Sequence, residues 1–99
     1  MRDPEIMSQV KTILAKISEI APGHAVELRI PPYSAIQCVE GPKHTRGTPP
    51  SVVEMSAEVL FDISEGKINW TSAIADGRIS ASGERSDLSA LFQQLAAAE

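Results

Sequence analysis

The sequence predicts an α/β (α+β) domain: one curved sheet, mostly antiparallel or mixed, with helices packed on one face. Three observations lead there. Apolar residues recur at spacings of three and four over the first twenty positions, and the spacing falls to two from Val26. Helical patterning then returns in two places, separated by one more alternating stretch. The order helix, strand, strand, strand, helix, helix, strand, helix lacks the regular strand-helix repeat of a doubly wound parallel sheet.

The first helix is expected over Pro4 to Ala21. Ile6, Val10, Ile13, Ile17 and Ile20, joined by Met7 and Leu14, form its apolar stripe, while Gln9, Lys11, Lys16 and Glu19 fill much of the other face. Asp3 is placed to cap it, Pro4 suits its first turn, and Pro22-Gly23 ends it. Val26, Leu28 and Ile30 point one way and Glu27 and Arg29 the other, so 24–30 reads as a half-buried strand. Pro31-Pro32 interrupts pairing, because neither residue donates an amide hydrogen bond. A second extended run, Tyr33 to Glu40, is then expected to pair antiparallel with the first.

Residues 41–50 carry two glycines and three prolines, a loop composition. Ser51 to Met55 reads as a third strand. Ser56 is placed to cap a helix over 57–65, whose stripe is Val59, Leu60 and Ile63, broadened by Phe61 and stopped by Gly66. A very short helix, Thr71 to Asp76, follows Trp70. Ile79 and Ala81 alternate with Arg78, Ser80 and Ser82 in a fourth strand. Ser86 or a neighbour caps the closing helix, with Leu88, Leu91, Phe92 and Leu95 facing inward. A fourth strand reached through a helical crossover makes mixed strand directions the expectation.

Ninety-nine residues, 42% apolar and 22% charged, suit one globular domain over 1–99, too small for separate nucleotide and substrate halves. Its compact radius of gyration should be about 13 Å. The formal charge of -4, with no basic block, excludes the electrostatic footprint of a nucleic-acid binder. No apolar run approaches a transmembrane anchor, and the polar start has no signal core. With Cys38 the single cysteine, the expectation is a reduced, cytoplasmic protein without a disulfide.

Reactive residue types concentrate in 38–47: Cys38, Glu40, Lys43, His44 and Arg46. Cys38 as nucleophile with His44 as base would need close geometry and a third group to orient the ring. Burial of Cys38 as a small core residue needs neither. His24 and His44, twenty residues apart, fit no short zinc motif, so no metal or other cofactor is expected. Arg46 in its stiff loop suits either a carboxylate or phosphate contact or an anchoring pair with Glu40 or Glu54. Trp70 suits either a core anchor or a cavity wall. Glu84 and Asp87 sit where helix capping accounts for them.

Two stretches carry a resemblance: 31–54, PPYSAIQCVEGPKHTRGTPPSVVE, and 66–89, GKINWTSAIADGRISASGERSDLS. Together they resemble the small actinobacterial sterol carrier family proteins of the SCP2-like superfamily, over about Val10 to Leu95. The resemblance implies a curved sheet under helices and an apolar tunnel that takes lipid. It places Val59, Leu60, Ile63, Trp70, Ile74, Leu91, Phe92 and Leu95 near that cavity or its supporting core, and it brings no catalytic residues. Related domains also end a mycothiol-dependent maleylpyruvate isomerase, whose metal-binding helical domain has no counterpart in these residues. The superfamily's five-stranded sheet exceeds the four strands read here, so a fifth is expected around 41–50 or as an irregular edge.

The expected function is therefore non-enzymatic binding or carriage of a small apolar or amphiphilic, lipid-like ligand between sheet and helices. Tyr33 or Arg46 would supply an orienting polar contact. The alternative is a closed-core interaction or homodimerisation module, accessory to a thiol-dependent enzyme.

Overall fold

Asp3 starts the first helix by accepting hydrogen bonds from the Glu5 N–H at 2.9 Å and the Ile6 N–H at 3.3 Å. A helix leaves its first amides without partners, and this carboxylate satisfies two of them. The structure, a computed structural model, describes residues 3–41 and 51–97. Its first helix, α1, runs over Pro4–Ile20 and buries Val10, Leu14 and Ile17, the stripe read from their spacing.

Four strands form one sheet among the described residues: β1 (Val26–Ile30), β2 (Ser34–Cys38), β3 (Ser51–Met55) and β4 (Ile79–Ser82), in the order β2-β1-β3-β4. The β1–β2 hairpin is antiparallel, with Val26 opposite Cys38 and Ile30 opposite Ser34. It turns at Pro31-Pro32, a cis peptide bond, where the Tyr33 N–H donates to Ile30 O at 2.8 Å. The β1 and β3 strands run parallel, and β4 returns antiparallel to β3. The mixed sheet is thus the expected one.

Alternation decides which face is covered. Val26, Leu28 and Ile30 are buried, as are Cys38, Val53, Met55 and Ile79 from the neighbouring strands. The intervening Arg29 and Glu54 are exposed, with Arg29 paired to Glu27. Each fully buried Leu, Ile or Val contributes about 1.5–3 kcal/mol, so the helices gather on that apolar face. They are α1, α2 (Ala57–Ser64), α3 (Trp70–Ala75) and α4 (Ser89–Ala97). The radius of gyration is 13.0 Å, as the length predicts.

The end of α1 is tied to the sheet by strained backbone. Val39 has φ 69°, a region costing a β-branched residue about 1–2 kcal/mol. Two hydrogen bonds hold it there: its N–H donates to Ala21 O at 2.7 Å, and its carbonyl accepts from Ala25 N at 3.0 Å. Gly23 makes the approach possible, since a Cβ at that position would stand 2.7 Å from Glu40 N and closer to the Val39 carbonyl.

Element boundaries moved where side chains cap the chain. The short helix starts at Trp70 because Asn69 Oδ1 accepts from the Ser72 N–H at 3.2 Å. Asp87, one residue past Ser86, receives the Ser89 N–H at 2.9 Å, while the Ser86 hydroxyl turns back to Gly83 O at 2.8 Å. The fifth strand expected around 41–50 falls on a segment of which 42–50 lie outside the described residues.

Candidate functional site

Two helix faces create the principal concavity. Along α1, Ser8, Gln9, Thr12, Ile13 and Lys16 form one wall; Phe61, Asp62, Ser64, Glu65 and Lys67, from α2 and its exit, form the other. Leu95 of α4 completes a groove of about 570 Å³. That volume lies within the range of small-molecule sites, roughly 300–1,000 Å³. Ile13 and Phe61 are half-buried and Leu95 is buried; these three supply the groove's apolar lining, while Lys16, Glu65 and Lys67 are exposed.

The polar groups differ in how they are satisfied. Lys67 Nζ lies 3.1 Å from Glu65 Oε2, and this hydrogen bond, aided by the carboxylate's charge, raises the ammonium above its usual value. The Thr12 hydroxyl donates to Ser8 O at 3.0 Å. Ser64 is only 3% exposed, and its Oγ has no hydrogen-bond partner among the described residues.

A second groove, about 350 Å³, opens where the α2–α3 connection meets α4. Ile63, Ile68, Trp70 and Phe92 contribute to its lining. Trp70 stacks on Phe92 with centroids 6.0 Å apart and planes inclined by 22°, a geometry favourable to aromatic rings.

The residues singled out from the sequence divide between these places. Leu95 lines the α1–α2 groove, and Ile63, Trp70 and Phe92 line the second. Leu60 is wholly buried in the core, with Val59 and Leu91 half-buried against it. Ile74 is 37% exposed, and Tyr33 packs partly buried beside the β1–β2 turn. Arg46 lies outside the described residues. These grooves separate helices from one another. Leu28, Ile30, Leu60 and Phe92, between sheet and helices, are buried core residues.

Ser64 and the α1 wall escaped the sequence reading. Gln9 and Lys16 are exposed on the polar face of α1, as their spacing predicts, and also border the groove. Ser64 carried a usable signal: it follows Leu60 by four residues and therefore shares its buried side of α2.

Cys38 lies on the sheet's covered face, and burial pushes its thiol above the ordinary value, away from the reactive thiolate. Its supposed base, His44, is outside the described residues. Among the described residues, no group of three or more His, Cys, Asp or Glu is arranged to hold a metal ion. No helix among them is long and apolar enough to cross a membrane.

A family described as bacterial SCP ortholog matches residues 2–93. No curated protein matches the chain. Among solved structures, it is similar to the sterol carrier protein domain 2 of Helicoverpa armigera, at 18% identity and a TM-score of 0.57, covering 97% of this chain and 94% of that one. It is also similar to a structure described as UbiJ-SCP2 ubiquinone synthesis protein, at 14% identity and a TM-score of 0.54, covering 99% and 95%. At these identities the likeness is one of fold.

Proposed function

The chain belongs to the bacterial SCP ortholog family, and on that premise we propose that it is a non-enzymatic carrier of a small apolar or amphiphilic, lipid-like ligand. The ligand sits among the helices in the α1–α2 groove, with its chain against Ile13, Phe61 and Leu95. The observation that carries this reading is the groove itself, about 570 Å³, in which Ile13, Phe61 and Leu95 offer apolar contact among mainly polar lining residues. An apolar chain that buries on the order of 250 Å² there gains roughly 6 kcal/mol before the costs of ordering. Association costs of about 4 kcal/mol or more come off that gross gain, so net binding is weak and reversible, as carriage requires.

The second groove, with Trp70 and Phe92, takes a ligand portion extending past α2. Tyr33 and Arg46 remain orienting contacts for a ligand that reaches the hairpin or the loop. Work in the cytoplasm suits the single buried thiol.

Titration with a pyrene-labelled dodecyl probe tests the reading. Gln9→Trp places a bulky ring in the groove and should weaken binding at least about tenfold. Ser18→Trp, on an exposed α1 position outside the groove's lining, should leave it unchanged. Equal affinities for both variants would contradict this seat, and no binding by the unaltered chain would contradict the carrier function.

A further inference from the structure

We propose that Ser64 determines specificity in the α1–α2 groove by donating a hydrogen bond to an uncharged oxygen, an alcohol or carbonyl, on an otherwise apolar ligand. This deepens the carrier reading and rests on it. Serine inside a helix commonly returns its hydroxyl to the carbonyl four residues back, as Thr12 does across the groove with Ser8 O. Ser64 Oγ makes no such bond, although the residue is 3% exposed and lines the groove. An unmade buried hydrogen bond costs stability, and alanine would occupy the position without that cost. A ligand oxygen supplies the missing partner.

The surroundings select a neutral group. Ile13, Phe61 and Leu95 give Ser64 apolar company, and the lining carboxylates Asp62 and Glu65 balance Lys16 and Lys67. Lys67 is already held by Glu65 at 3.1 Å. An anionic head carried down to Ser64 would be desolvated away from Lys16, the exposed lysine at the groove's rim that is not held as Lys67 is, whereas an alcohol or ketone needs only one hydrogen bond. Ser64 Oγ is itself closed off, so the ligand oxygen reaches it only as a neighbouring groove side chain moves aside.

Calorimetric titration with 1-decanol, 2-decanone and 1-chlorodecane separates this role from simple packing. Ser64→Ala should weaken the two oxygenated ligands about tenfold, leave 1-chlorodecane within about twofold, and melt no lower than the unaltered protein. Ser64→Thr keeps the donor and should preserve the ratio of decanol to chlorodecane affinity, whatever its added methyl does to both. Equal changes for all three ligands in Ser64→Ala, or no change in any, would overturn the role of Ser64 while leaving the carrier reading intact. Failure of all three to bind the unaltered protein would overturn both.

Discussion

The Trp70–Phe92 stack permits a quantitative test of how the helical layer is held. Phe92 is 2% exposed and Trp70 half-buried, with ring centroids 6.0 Å apart. Replacing each by leucine keeps apolar bulk and removes the ring pair. Phe92→Leu should cost about 1–1.5 kcal/mol through altered packing, and Trp70→Leu about 1–2 kcal/mol. The double variant should cost less than the two added together, by about 0.5–1.5 kcal/mol, because the stack can be lost only once. A small domain holds about 5–15 kcal/mol, so all four proteins should remain folded. Urea unfolding followed by far-ultraviolet circular dichroism measures the cycle without using tryptophan fluorescence. A coupling within about 0.3 kcal/mol of zero, the usual additivity of independent sites, would refute the claim that this stack joins α3 to α4.

Other outcomes follow from local geometry. Gly83→Ala should destabilise by about 2–4 kcal/mol in thermal melts, since φ is +100° and a Cβ would stand 2.7 Å from the Ser51 Cα. Asp87 has its pKa lowered by hydrogen bonds from Ser89, first the side chain and then the N–H, so its contribution is present above the ordinary value of 3.8 and lost as pH falls through the lower folded value. Asp87→Asn should therefore reduce the acid-side fall in melting temperature, by an amount worth only about a few tenths of a kcal/mol because the group is exposed. Cys38, buried with its thiol pushed up, should resist iodoacetamide at neutral pH until urea unfolds the chain, as followed by mass spectrometry.

Much of the architecture was legible because its signals are local. Spacings of three and four marked α1, alternation marked β1, and Ser56 marked the start of α2. The pairing of β1 with β3 was not legible: parallel partners 25 residues apart, such as Val26 and Ser51, leave no local trace. A side-chain cap also shifted the start of α3, since Asn69 competes with nearby polar residues for that role. The site was less legible than the fold. Resemblance pointed to Trp70, Phe92 and Leu95, but the α1–α2 groove arises from how two helices sit together. Its polar α1 residues look like an ordinary solvent face until α2 is placed beside them.

Methyl NMR with a dodecyl probe tests the ligand's seat most directly. Shifts and intermolecular contacts should centre on the methyl groups of Ile13 and Leu95, with the Phe61 ring moving in step and with one saturable affinity. A response centred instead on Ile63 and Trp70, or on the exposed sheet face around Arg29 and Glu54, would contradict binding between α1 and α2.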